Sequence, residues 1–430
     1  MLTKKIIFLI LILNFSVVNA GVKIDHWKTS EGSKVYFVNT DHLPILDITV
    51  SFKAGSARDN SSNNGVASLT NHLMLMGSNG INEVDLANKF SDIGAQLDSG
   101  FDRDKSSFSL RTLKENQEKA IKLFNLVLHK PNFKKTVMDR EKKKYLASIR
   151  QGETEPATIG SKAFMKTLYG NHPYGLPMSG TVDTIQNITS VQLKEFYENF
   201  YLSNQATIVI VGDTNIKTAK EISSKISAGL PKNLKASFYA KVEETEKKNL
   251  SIPHPSAQAH LYFGKPIMKR GDPDFFPLYV GNYILGGGGF VSRLTTEVRE
   301  KNGLVYSVYS YFMPFLENGP FQVGLQTSKD QIDKALNLVQ MTIKDFIDNG
   351  PTEKELDAAK SNMIGGFPLR LDSNKKIVEY ISMMAFYDYP LDYLDTFADK
   401  VNSVTVNQIK KAFSKRVNMD DFTTVIVGIE

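Results

Sequence analysis

The first group of side chains with the types and spacing for chemistry stands in Gly65 to Gly77, GVASLTNHLMLMG, where His72 is the one ionisable residue. Ser68 lies four residues earlier, one helical turn back on the same face, and Asn71 is its neighbour in sequence. An imidazole can ligate a metal or move a proton, but either task needs partners. Ser68 is a poor ligand for Zn²⁺, and Asn71 has no carboxylate to accept a proton. Val66, Leu69, Leu73 and Leu75–Met76 supply apolar surface, so the stretch reads as a buried helix entering an α/β domain. On this reading His72 is a hydrogen-bonded histidine within the packing, and Met74 and Met76 are core.

The second group is Gly286-Gly287-Gly288-Gly289-Phe290, which runs into SRLTTEVREKNGLVYSVYS. Four glycines give a backbone that another chain can approach closely, leading into a helix N-terminus. A phosphate loop is excluded because no Lys-Ser/Thr follows the glycines. Arg299 and Tyr306 in this stretch carry hydrogen-bond donors, as does Arg293 nearer the glycines. Taken as bare residues they read as a structural ion pair and a core aromatic. His26, His42, His129, His172, His254 and His260 are scattered and read as structural, and no Ser-His-Asp or Cys-His arrangement assembles.

The elements that must position these residues alternate. VYFVNT and ILDITVSFKAG read as strands and NEVDLANKFSDIGAQLD as a helix on which Val84, Leu86, Phe90 and Ile93 share a face. SSFSLRTL reads as a strand, ENQEKAIKLFNLVLHK as an amphipathic helix, and roughly Lys134 to Gln151 as a long charged helix. NHPYGLPMSG is a turn-rich loop, VQLKEFYENFY a helix and ATIVIVGD a buried strand. The second half repeats the plan. Gln192-Leu193-Lys194 and Gln408-Ile409-Lys410 are 216 residues apart, and at the same offset Ile208–Gly212 faces Thr424–Gly428. A helix and a β-branched strand ending in glycine, recurring in register, indicate an internal duplication.

Composition narrows the class. With 41% hydrophobic and 23% charged residues over 430 positions, the chain has material for two cores. Its formal charge of +6 falls to +4 without Lys4 and Lys5, and Lys142–Lys144 reads as a solvated helix face, so nucleic acid is not an expected partner. Lys4–Lys5, then IIFLILILNFSVV and Val18-Asn19-Ala20, read as a signal peptide cut after Ala20, leaving no membrane segment. The absence of cysteine excludes disulfides and thiolate sites, and with a leader it suits a Gram-negative periplasm.

Several motifs together resemble the insulinase/pitrilysin-like (inverzincin) peptidases, in a small bacterial two-domain form. Ser68, Asn71 and His72 fall where that family has His-x-x-Glu-His, whose histidines hold Zn²⁺ and whose glutamate is the general base. NHPYGLPMSGT resembles the end of the family's first domain, and FVSRLTTEVREKNGLVYSVYS its second-domain signature. The family's third ligand is a glutamate on the order of 75 residues downstream. Counting from His72 reaches Ala147, Ser148 and Ile149, with Glu141 about two helical turns upstream. The metal set is therefore degenerate.

The resemblance implies an α/β (α+β) fold of two homologous sandwich-like domains, each a mixed, largely antiparallel sheet with helices packed on it, forming a clam shell. The boundaries are 1–20 for the signal peptide, 21–235 and 253–430 for the domains, and 236–252 for a charged, Pro-bounded linker. It further implies a non-zinc subunit of a periplasmic heteromeric metallopeptidase. Zn²⁺ is expected on a homologous partner, not here, and the substrate would be a peptide. Arg299 and Tyr306 would act across the interface, with Gly287, Gly288 and Gly289 also holding substrate. The competing expectation is a non-catalytic peptide-binding scaffold or chaperone-like protein.

Overall fold

The computed structural model describes residues 22–232, 239–243 and 246–429. The expected leader, and parts of the expected linker, lie outside them. Eleven strands form two sheets among the described residues. The first contains β1 (Asp25–Lys28), β2 (Lys34–Asn39), β3 (Ile45–Phe52), β4 (Gln96–Phe101), β5 (Ser106–Leu113) and β6 (Thr207–Gly212), in the order β1-β2-β6-β3-β5-β4. The second contains β7 (Asn249–Ile252), β8 (Gln258–Met268), β9 (Val308–Phe312), β10 (Gly319–Ser328) and β11 (Thr423–Val427), in the order β7-β11-β8-β10-β9. In each sheet one pair is parallel, β2 with β6 and β7 with β11, and the rest are antiparallel.

The two strand orders superpose once β1 is set aside, as a duplication requires. The repeat extends to local chemistry. The helices Ser190–Phe200 and Val406–Arg416 both open with a Thr-x-x-Gln capping box, in which the Thr189 and Thr405 N–H groups donate to Gln192 and Gln408 Oε1 at 2.8 and 2.9 Å.

Three sequence expectations change. The helix expected over NEVDLANKFSDIGAQLD spans only Glu83–Ser91; Gly94, at φ +62°, stops it, and β4 begins at Gln96. Leu86 and Phe90 are buried as expected, whereas Val84 is 60% exposed. Asn249–Ile252, at the end of the segment read as linker, forms the edge strand β7. Lys142 is buried, its ammonium donating to the Gln186 and Ile188 carbonyls and so capping the short helix Val182–Asn187.

Each sheet buries its outer face with helices of its own half and its inner face with a helix of the other. The helix Pro156–Tyr169 packs on β8 and β11, and the helix Asn374–Phe386 packs on β3 and β6. Alternation dictates this. Val35, Phe37, Ile208 and Ile210 belong to the first half's own core, whereas Val38, Val209 and Val211, one residue out of phase, pack with Ile377, Val378 and Ile381. On the other side Tyr262 lies against Phe164 with ring centroids 5.9 Å apart, and its hydroxyl donates to the Ala157 carbonyl at 2.8 Å. Gly160 permits the contact: a Cβ there would fall 2.4 Å from the Tyr262 ring.

A single carboxylate ties the junction. Asp104, in the β4–β5 turn and 1% exposed, accepts from the Tyr174 hydroxyl at 2.6 Å, the Tyr387 hydroxyl at 3.0 Å and the Leu316 N–H at 2.9 Å. Its backbone carbonyl accepts from the Tyr239 hydroxyl at 2.7 Å. Burial raises the Asp104 pKa, and the donors from both halves oppose that rise. Asp104→Ala would strand one buried and two part-buried donors and is expected to cost about 3 kcal/mol. A lower urea midpoint at unchanged slope would register it; an unchanged midpoint would mean that Asp104 does not hold the junction.

Candidate functional site

The His72 helix, Val66–Met74, starts at a buried carboxyl group. Asp59 accepts from the Gly65 N–H at 2.8 Å and the Ala67 N–H at 3.0 Å, satisfying N–H groups at the helix start. Burial pushes the Asp59 pKa up to about 7 against the pull of these donors. Gly65, at φ +94°, brings the chain in where a Cβ would lie 2.9 Å from Gly180 Cα. The helix entry is therefore fixed independently of any metal.

The three positions that could have carried metal chemistry are occupied by other interactions. Asn71 is buried and donates from Nδ2 to Ser106 Oγ at 2.7 Å and to the Gly100 carbonyl of β4 at 3.3 Å. Ser68 Oγ lies 3.3 Å from the Tyr145 hydroxyl. His72 Nε2 lies 2.9 Å from Glu141 Oε2, and its ring packs against Tyr145 with centroids 5.5 Å apart. His72 is thus hydrogen-bonded, at the edge of the packing and not deep within it.

Glu141 is what counting along the chain missed. It stands on the helix Lys135–Gly152, short of the position expected from family spacing, yet the fold brings it to His72. The usable signal was its isolation among cations, since Arg140 Nε and Lys144 Nζ each donate to Oε1 at 2.8 Å. Arg140 continues the network to Glu83 at 2.8 Å. Burial alone would raise the Glu141 pKa, but hydrogen bonds from Lys144, His72 and Arg140 outweigh it and hold the carboxyl at about 2. One imidazole and one carboxylate already engaged by two cations do not fit zinc. Among the described residues no group of three or more His, Cys, Asp or Glu could hold a metal ion.

The second cluster is open. Around the glycine run, a Cβ at Gly286 would meet Ser310 N at 2.7 Å, which seats this turn on β9. Asn282 and Ser310 fasten it by exchanging two bonds, Asn282 Nδ2 to the Ser310 carbonyl at 3.0 Å and Ser310 Oγ to Asn282 Oδ1 at 2.6 Å. Gly287 and Gly289 are exposed and Gly288 half-buried, and Phe290 follows at 68% exposure. The expected helix after the run is a π-helical segment, Thr295–Lys301. It carries Arg299, whose guanidinium sits 4.8 Å from the Phe290 ring centre and 5.2 Å from that of Tyr306. Tyr306 is 75% exposed. Among the described residues Arg299 pairs with no carboxylate.

Arg293 behaves differently. Its Nε and Nη2 each donate to Glu355 at 2.7 Å, Nη2 also reaches the Gly350 carbonyl at 3.0 Å, and Nη1 reaches Asp345 at 3.1 Å. It is a structural arginine. No hydrogen bond, ion pair or ring contact among the described residues links the His72 cluster to Arg299 and Tyr306. His129, His172 and His254 lie 2.7, 2.9 and 3.2 Å from backbone carbonyls, in keeping with structural roles.

Comparison with known proteins identifies the family and the fold. Residues 34–182 match the family model described as insulinase (peptidase family M16), and residues 187–363 match the peptidase M16 inactive domain. A crystal structure of a peptidase M16 inactive domain from Pseudomonas fluorescens is 38% identical, with a TM-score of 0.92, covering 95% of this chain and 98% of that one. A protease from Helicobacter pylori has the same fold at 19% identity and a TM-score of 0.85, over 94% of this chain and 99% of its own. The Helicobacter pylori protein named non-peptidase homolog YmxG is 27% identical over 99% of this chain and 98% of its own length. The Bacillus subtilis protein named uncharacterized zinc protease YmxG is 24% identical over 94% and 98%.

Two measurements test the site. After equilibration with Zn²⁺ and desalting, metal analysis is expected to find sub-stoichiometric zinc; one ion per chain would demand ligands the His72 cluster does not supply. The second concerns acid. Glu141 titrates near 2 when folded, below its ordinary value of 4.5. Its ionised form therefore stabilises the fold above pH 4.5, and that contribution is lost as pH falls through 4.5 toward 2. Glu141→Gln is expected to lower the melting temperature at pH 7 and to flatten its fall over this acid range. An equally steep fall in the variant would exclude Glu141 as the source.

Proposed function

The chain belongs to the insulinase (M16) family of peptidases, and on that premise we propose that it is the zinc-free subunit of a periplasmic two-subunit metallopeptidase. The observation that carries this reading is the contrast between the two clusters. The helix that would bear metal chemistry is closed by hydrogen bonds of Ser68, Asn71 and His72 to neighbouring elements. The half-buried guanidinium of Arg299 and the exposed phenol of Tyr306 stand together, with no ion pair among the described residues to hold them there.

In the proposed assembly the metal and the general base belong to a homologous partner chain. This chain contributes donors: Arg299 and Tyr306 would hydrogen-bond the carbonyl oxygen of a bound peptide and stabilise the negative charge that develops on it. Packing of Arg299 against Phe290 and Tyr306 limits its rotamers, so less freedom is lost when it meets an anion. The substrate would be an unfolded peptide added as a strand to a free sheet edge, of which β4 and β9 are two. Alone, the chain is expected to hydrolyse nothing, and the name of its Helicobacter relative, non-peptidase homolog, supports that. The basic, apolar and small-residue pattern of residues 1–20 supports export to the periplasm. That relative's name also favours a second reading, a peptide-binding scaffold without any catalytic partnership.

Peptide hydrolysis with and without a co-expressed zinc-bearing homologue separates the two. Activity is expected only in the mixture, falling about 100-fold with Arg299→Ala and less with Tyr306→Phe. If the partner is equally active alone, or neither substitution matters, the shared-site reading fails and the scaffold reading takes its place.

A further inference from the structure

The inner face of the first sheet is divided lengthwise. Over β2 and β6 it is apolar, through Val38, Val209 and Val211, and the helix Asn374–Phe386 covers it. Over β3 and β5 the same alternation places Asp47, Thr49, Ser51, Ser107, Ser109 and Arg111 on that face. Between this polar half and the covering helix lies a cleft of about 500 Å³, so its walls come from both halves of the chain. It reaches β4, the free edge of the sheet, where Asp98, Ser99 and Gly100 line it.

The charges in the cleft balance. Asp47, Asp98 and Glu379 oppose Lys105, Arg111 and Lys375, so no net field selects a ligand and short-range hydrogen bonding decides. The cations have access to water: the Arg111 side chain is 30% exposed, and Lys375 is exposed. The acceptors are short of donors. Asp47 is 4% exposed, its Oδ2 has no partner among the described residues, and Arg111 approaches Oδ1 only to 3.6 Å, beyond hydrogen-bond range. On the facing helix Ser382 is 5% exposed, and its Oγ is likewise unpartnered. Thr49 and Ser109, at 3.0 Å, satisfy each other. A buried carboxylate lacking hydrogen bonds, with an unpaired hydroxyl on the opposite wall, calls for a group rich in donors and free of acceptors. A primary ammonium has three donors and no acceptor.

We propose that this cleft is a subsite for a primary ammonium on a bound peptide, with Asp47 as its anion and Ser382 as a second acceptor. The ammonium would be either the peptide's free N-terminus or a lysine side chain. The proposal rests on the reading of this chain as a peptide-handling subunit, and it assigns the second half a direct part in holding the peptide's cationic group.

The test is fluorescence anisotropy of the purified chain with an unstructured peptide of about a dozen residues, C-terminally labelled and free of arginine. Three forms are compared: free N-terminus without lysine, acetylated without lysine, and acetylated with one internal lysine. Acetylation of the lysine-free peptide is expected to weaken binding about tenfold, and Asp47→Asn to abolish the difference. Recovery of affinity by the internal lysine would mean that either source serves, and no recovery that the N-terminus alone does. Equal binding of all three forms by the wild-type chain overturns the subsite while leaving the peptide-handling reading intact, and this comparison needs no folded variant. A difference that survives in a folded Asp47→Asn variant overturns the assignment to this cleft. Binding of no form overturns both the subsite and the peptide-handling reading.

Discussion

The structure depends on an exchange. Neither sheet can bury its inner face with its own half, because the apolar positions at Val38, Val209 and Val211 are matched by a helix that begins more than 160 residues later, at Asn374. The opposite face of the problem is solved by Pro156–Tyr169 against β8 and β11. Burial of these faces does most to hold the halves in one arrangement, and it is distributed over two reciprocal contacts. The pairing of sheet and foreign helix sets the geometry.

Everything polar at the junction follows from this packing. Asp104 gathers donors from Tyr174 in one half and from Leu316 and Tyr387 in the other because the crossing helix Asn374–Phe386 ends beside it. The same helix packs on β3 and β6 but does not close on the polar face that β3 shares with β5, which leaves a cleft between them. The His72 helix is anchored separately, by Asp59 at its start and Asn71 in its middle. Its loss of metal-binding character therefore leaves no unfilled structural role.

Much of this was legible in the amino-acid sequence, where the information is local. The strands 207–212 and 423–427, the helices bearing Gln192-Leu193-Lys194 and Gln408-Ile409-Lys410 and the helix around His72 are short local patterns, and each formed where it was read. The reading failed where the partner is distant. Pro156–Tyr169 has Gly160 at its closest contact and presents its apolar residues to a sheet of the other half, so nothing nearby announced it. Glu141 escaped because counted spacing assumes a fixed loop length, whereas the fold requires only that one helix lie beside another. The first three residues of β4 were absorbed into a helix because Leu97 continued the helical phase past Gly94, where the chain in fact leaves the helix to pair with β5. Arg299 and Tyr306 were read from motif context; among the described residues Arg299 has no carboxylate partner, and Tyr306 is exposed where a core aromatic would be buried.

The reciprocal helices also bear on how such a chain can change over evolutionary time. Once two duplicated halves complete each other's cores, deleting either one exposes the inner face of the survivor, so the gene can no longer shed a half. Single positions on the His72 helix are under no such tie: a serine and an asparagine there find hydrogen-bond partners within a few ångströms. Chemistry is thus the easily eroded part of this architecture and bulk the part that cannot be surrendered, which makes a full-length chain stripped of its metal ligands a natural resting point for one copy of a duplicated gene.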